Sequence, residues 1–254
     1  MATRIALVTH ALEFAGPPAV EALHEAGFEV VAHDRRFADQ ALRASFAAAH
    51  ARVHTSDTLD PAQLVEAAAA ITGRLDVVVS NDAHPVVHAP IAEAALDALR
   101  ATFEQLVAFP FGLLQAAIPK LRATPGARVI MITSNRTRLP QAGGAIPDIA
   151  RAGANALARS LAIELAPYGI PVNAIAPNFL ASETYYSRAR FVDDPTGADY
   201  VRRTVPAGRL GRPEEIGELI RFLATCESTF LTGANIDFSG GWPAGVPRPE
   251  PGSD

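Results

Sequence analysis

Short runs rich in Val, Ile and Leu recur through this chain, each followed by a longer Ala- and Leu-rich run of helical period. The short runs are apolar almost throughout rather than alternating, so a sheet built from them has both faces covered. Such strand–helix order demands parallel pairing, because each return to the same sheet edge needs a helix-length crossing. The pattern predicts strands at 5–9, Phe28–His33, near Val53 and His54, and at 76–80, 128–133, 171–176 and Asn235–Phe238. Helices are expected over 18–26, stopped by Gly27, and over 61–72, with Pro61 in the first turn and Gly73 as the stop. A longer helical stretch is expected over about 91–121. The expected fold class is α/β, a doubly wound parallel sheet in three layers, α/β/α.

A length of 254 residues suits one such domain, and neither an internal repeat nor a linker interrupts it. One domain over 1–254 is therefore expected, with the Pro/Gly-rich stretch 243–254 as a tail, loose or docked on a neighbouring subunit. The net charge of -5 and the absence of a long basic run argue against nucleic acid as a partner. A single cysteine, Cys226, excludes an intrachain disulfide framework and fits a reducing cytoplasm; it reads as helix filler rather than nucleophile. The first residues run straight into a strand pattern, unlike a secretory leader. No apolar run approaches the length of a membrane span, so a cytoplasmic protein without a membrane partner is expected. No His/Cys/Asp/Glu spacing suggests a metal site.

The most specific motifs lie in the second half. Pro171-Val-Asn-Ala-Ile-Ala-Pro177, Gly208-Arg-Leu-Gly-Arg-Pro213 and Leu231-Thr-Gly233 leading to Gly240-Gly241 resemble the short-chain dehydrogenases/reductases. The helical run from Arg151 resembles the helix that carries their catalytic basic residue. That resemblance implies a Rossmann-like fold. The first strand–helix turn departs from it. A dinucleotide needs glycines there for the tight turn, for close approach of backbone to pyrophosphate and for helix packing. Here the turn reads Thr9-His10-Ala11-Leu12-Glu13-Phe14-Ala15-Gly16, with His10 and Phe14 where two glycines belong and Glu13 repelling phosphate. No nicotinamide cofactor is expected, and Asp34 then reads as a strand-end cap rather than a ribose ligand.

The altered turn is similar to that of the halohydrin dehalogenases, which share the fold and use the emptied nicotinamide space to hold a halide. Three further stretches carry the likeness: Ser80-Asn81-Asp82 after the fourth strand, Pro177-Asn178-Phe179-Leu180 after the sixth, and the Ser134-to-Arg151 spacing. Thr184-Tyr185-Tyr186 adds aromatics to the loop that walls the halide pocket in that family. The resemblance implies closure of vicinal halohydrins to epoxides, and epoxide opening by small anions in reverse. Ser134 would hold the substrate hydroxyl, and Arg151 would lower the pKa of whatever base takes its proton. Phe14, Asn81, Pro177, Asn178, Phe179, Leu180, Tyr185 and Tyr186 would form the halide and substrate pocket. The implied partners are a halohydrin or epoxide, halide, and further copies of the chain in a homo-oligomer.

One family feature is absent. A tyrosine belongs four residues before the arginine, and Pro147 stands there, with no tyrosine between Ser134 and Arg151. Pro147-Asp148 reads as a helix opening. The base is then open among Asp148, His84, His88, His10, Tyr185 and Tyr186. Two other readings stay open: an NAD(P)-dependent oxidoreductase with an atypical cofactor loop, and a catalytically silent anion-binding member. Trp242 is left between a pocket wall and a subunit contact.

Overall fold

The computed structural model describes residues 3–245. Seven parallel strands form one sheet in the order β3-β2-β1-β4-β5-β6-β7. They are β1 (Arg4–Val8), β2 (Phe28–His33), β3 (Val53–Ser56), β4 (Val77–Asn81), β5 (Arg128–Ile132), β6 (Val172–Pro177) and β7 (Asn235–Phe238). Strand order reverses between β1 and β4, which opens a crevice at their carboxyl ends.

Successive strand residues point to opposite faces. Ile5, Leu7, Val78, Val129, Met131 and Val172 bury one face under helices α3 (Pro61–Ala70), α5 (Phe109–Ala123) and α6 (Ala145–Leu165). Ala6, Val8, Val30, Val79, Ile130 and Ile175 bury the other under α1 (Gly16–Glu25) and α8 (Pro213–Thr225). The three-layer expectation holds, and every expected strand is present within a residue or two.

The helices differ more from expectation. α1 begins at Gly16, because Pro17 and Pro18 fit a first turn that needs no N–H donors. Helices α2 (Gln40–Ala49) and α7 (Pro195–Thr204) were not anticipated; α2 has no fully buried residue and sets only half-buried Leu42 and Phe46 against the core. Helix α4 (Leu96–Phe103) runs through a π-turn, Glu104–Ala108, into α5. The joined helix, Leu96–Ala123, is 28 residues long with a mean hydropathy of 1.2 over its most apolar window. That corrects the expectation that no segment is long and apolar enough to cross a membrane. Its apolarity has a local cause, since Leu113, Leu114, Ala117 and Leu121 pack into the sheet core. Of the expected tail, positions 246–254 lie outside the described residues.

Candidate active site

The turn between β1 and α1 keeps a glycine-like path without the glycines. His10 and Phe14 both lie in left-handed backbone, at φ 44° and 51°, a region costly for residues with a Cβ. Gly16 cannot be replaced: a Cβ there would stand 2.2 Å from the His10 carbonyl oxygen. Asn81, at the end of β4, braces the turn from beneath. Its amide donates to the carbonyls of Thr9 (3.3 Å), His10 (3.0 Å) and Glu13 (3.0 Å), and its oxygen accepts the Ala15 N–H at 3.3 Å. Asn81 is fully buried and does not line the cavity, which corrects its expected place in the pocket wall.

Asp34 caps the 3-10 turn Arg35–Ala38 by accepting the Arg36 N–H at 3.0 Å. It also accepts the Leu12 N–H at 3.1 Å and the Arg36 guanidinium at 3.0 Å. Burial opposes its charge, but these bonds hold the carboxyl below its usual range. The oxygens a ribose would need are already taken.

Beneath the turn, Thr9 and Ser80 donate to Asp82 at 3.3 and 2.5 Å, and His10 Nδ1 stands 3.6 Å from the same carboxylate. His33 stacks on Phe109 with centroids 5.7 Å apart. Burial and the neighbouring His10 depress His33 to about 4. Burial works against protonation of His10 too, yet the Asp82 carboxylate raises it above its ordinary value. This cluster is walled off from the cavity, so His10 leaves the set of candidate bases.

A cavity of about 850 Å³ opens at the carboxyl ends of the central strands. Ser134, just past β5, donates to the Pro177 carbonyl and accepts the Arg136 N–H, both at 3.2 Å. Asn155 on α6 holds the Ser134 carbonyl at 3.0 Å. Arg151, one turn beyond Pro147 on α6, is only 5% exposed. Its guanidinium donates to the Ile132 carbonyl at 3.4 Å and to the Tyr185 hydroxyl at 3.1 Å. Tyr185 stands on a tight turn closed by the Tyr186 N–H bond to Ser182 O at 2.9 Å. Its hydroxyl donates to the His84 carbonyl at 3.0 Å and accepts the His84 N–H at 3.1 Å. The edge of one ring meets the face of the other where Phe14 and Tyr185 pack, 4.8 Å between centroids.

Across the cavity the chain turns sharply at Phe179, which like His10 and Phe14 lies in left-handed backbone (φ 56°). The Phe179 N–H donates to Asn178 Oδ1 at 3.0 Å, and that oxygen also accepts the Tyr186 hydroxyl at 2.7 Å. Among the described residues the Leu180 N–H has no acceptor, whereas the next N–H, of Ala181, donates to Gly211 O. Burial pushes the Tyr186 phenol well above its ordinary range. Pro147 lines the cavity at the third position of α6, inside the first turn, where a missing N–H costs nothing. Asp148 is paired with Arg136.

Phe14, Ser134, Arg151, Pro177, Asn178, Phe179, Leu180, Tyr185 and Tyr186 therefore line one cavity. His84 and His88 line it as well, and Trp242 proves to be a wall residue, its ring 5.8 Å from that of Phe179. Sequence reasoning missed Arg136, Leu106, Phe191 and Tyr200 in the lining. Arg136, two residues after Ser134, was within reach of it; the others sit on π-turns and α7, which carry no chemical motif.

Residues 16–243 match the family described as enoyl-(acyl carrier protein) reductase. The chain belongs to this family, within the short-chain dehydrogenases/reductases. It is 34% identical to a halohydrin dehalogenase solved with ethyl (2S)-oxiran-2-ylacetate, with a TM-score of 0.92 over 97% of this chain and 100% of that one. A solved "dehalogenation enzyme" is 31% identical, with a TM-score of 0.90 over 95% and 98% of the two chains. By sequence the chain is 32% identical to cis-4-hydroxycyclohexanecarboxylate dehydrogenase of Sinomonas cyclohexanicum, over 96% of this chain and 98% of that one.

Proposed function

We propose that this protein is a cofactor-independent carbon–halogen lyase of the halohydrin dehalogenase type. The observation that carries the reading is Phe14. It stands at φ 51° in the phosphate turn and sends its ring into the cavity against Tyr185, 4.8 Å away. A turn so filled, with Asp34 already bonded to Leu12 and Arg36, does not fit a nicotinamide dinucleotide. The same features count against the oxidoreductase alternative, which draws its support from relatives such as the Sinomonas dehydrogenase.

In this reading Ser134 holds the substrate hydroxyl, beside the positive charge of Arg151. As that oxygen loses its proton it attacks the adjacent carbon from behind, and the carbon–halogen bond breaks. The departing halide moves to the turn at Phe179 and Leu180. There the Leu180 N–H supplies a donor, and the positive ring edges of Phe14 and Phe179 complete a dry wall. A cavity of about 850 Å³ is at the upper end for small-molecule sites, so bulky aryl bromohydrins suit it better than chloropropanols. The site residues and the homo-oligomer stand as parts of this proposal; Phe111 and Ile163, on α5 and α6, are exposed apolar side chains that a second copy would cover.

The test is a halide-release panel from chloropropanols to aryl bromohydrins, run beside calorimetric titration with NADH and NADPH. Halide release without dinucleotide binding is expected. Tight binding of either dinucleotide with no halide released would return the chain to hydride transfer.

A further inference from the structure

Position 147 offers no ionisable group, so the reaction proposed above lacks a proton acceptor on α6. The cavity supplies one from another element. Tyr185, on the turn after β6, brings its phenol oxygen 3.1 Å from the Arg151 guanidinium. That oxygen accepts a second N–H, from His84, at 3.1 Å. Two donors, one of them charged and buried, converge on one oxygen. We propose that Tyr185 is the catalytic base, a tyrosine moved from the helix to the facing loop while keeping its partner arginine. The proposal rests on the lyase reading.

Asp148, Tyr186, His10 and His84 are engaged or poorly matched, and His88, which lines the cavity, is compared directly in the experiment. Asp148 is tied to Arg136. Tyr186 gives its hydroxyl to Asn178 at 2.7 Å, and burial favours its protonated form. His10 lies under the phosphate turn, facing Asp82. His84 lines the cavity, but burial, and after it the cations of Arg35 and Arg151, oppose the charge a protonated imidazole would carry there. At Tyr185 the relation is the opposite: the guanidinium donates to the very oxygen that would accept the proton.

The step balances without a co-reactant. The Tyr185 phenolate takes the proton of the substrate hydroxyl, and the new oxygen–hydrogen bond turns toward the His84 carbonyl, 3.0 Å away. The substrate oxygen closes on the neighbouring carbon as the halide leaves with the bonding pair. Tyr185 then returns its proton to water, so one proton and one halide are released per epoxide formed.

The experiment compares halide release by the parent chain, Tyr185→Phe, Tyr186→Phe, His84→Gln and His88→Gln. General acid–base groups contribute roughly 10²–10⁴-fold, so Tyr185→Phe should lower kcat by at least about 10²-fold with KM little changed. A fluorinated tyrosine placed at 185 keeps the shape and hydrogen bonds but ionises at lower pH. It should move the acidic limb of the pH–rate profile downward, which a structural role would not do. Full activity in Tyr185→Phe, an unmoved profile with fluorotyrosine, or a loss confined to His84→Gln or His88→Gln would overturn the assignment and leave the lyase reading intact. A parent chain that releases no halide across the panel would remove the reaction itself, and the base with it.

Discussion

The side-chain amide of Asn81 donates to the carbonyl oxygen of His10 across 3.0 Å, so the end of β4 holds the first strand–helix turn in its left-handed path. The same amide serves Thr9 and Glu13. Replacing Asn81 by alanine leaves the buried Ala15 N–H without its acceptor and takes a donor from the Thr9, His10 and Glu13 carbonyls, of which His10 O keeps the Glu13 N–H and Glu13 O the Gly16 N–H. Leaving buried polar groups unpaired costs about 1–3 kcal/mol each, and the losses are not additive. Asn81→Ala should therefore lower unfolding free energy by about 3 kcal/mol in urea titrations. A loss below about 1 kcal/mol would mean that the turn holds its shape unaided.

The bulk at positions 10 and 14 can be removed without straining the backbone. Both residues sit where glycine is at ease, and each left-handed residue bearing a Cβ carries a penalty of about 1–2 kcal/mol. The double variant His10→Gly, Phe14→Gly should admit a dinucleotide that the parent chain rejects. Calorimetry with NADH and NADPH reads this directly, as saturable heat in the variant and none in the parent. Equal binding to both chains would show that the side chains never closed the turn.

Legibility followed the physics of each element. The strands were readable because a doubly covered sheet writes continuous apolar runs, and the central five sit where Val and Ile cluster. The His10 and Phe14 substitutions were readable because a phosphate turn tolerates so few residue types. Helix α2 was not, since only half-buried Leu42 and Phe46 lean on the core and no residue of it is fully buried. The role of Asn81 was half legible: its place after β4 was plain, but only the fold shows that its amide faces the turn and not the cavity. The partnership of Tyr185 with Arg151 spans 34 positions and depends on how the loop after β6 folds back, information that spacing alone does not hold.

His33 ties stability to pH. Burial, with the charge of His10 beside it, holds its folded-state value at about 4 against an ordinary 6.5. Below pH 6.5 the unfolded chain therefore binds the proton first, and stability falls as pH drops toward 4. Each pH unit separating the folded and unfolded values is worth about 1.4 kcal/mol, so the total loss attributable to His33 is about 3 kcal/mol. His10 acts with opposite sign, because Asp82 raises it, and returns part of that loss. His33→Phe keeps the stacking on Phe109 and removes the titration. Denaturant titrations at pH 7 and 4.5 should show the parent losing about 2 kcal/mol more than the variant; parallel losses would place the acid sensitivity elsewhere.

Trp242 is the only tryptophan of the chain, and it packs against Phe179 where the halide is proposed to rest. It is 6% exposed, so bromide in bulk solution should collide with it rarely. Bromide held at the Leu180 N–H would instead sit next to Phe179, whose ring packs against Trp242, and quench by the heavy-atom effect. Quenching should then saturate with bromide concentration, and chloride, which occupies the same donor without quenching, should reverse it. Phe179→Ala should weaken the saturable phase about tenfold or more, because it removes one positive ring edge and opens the dry wall to water. A strictly linear response, insensitive to chloride and to Phe179→Ala, would mean that no anion binds beside Trp242, and the halide site would have to be moved off the loop after β6.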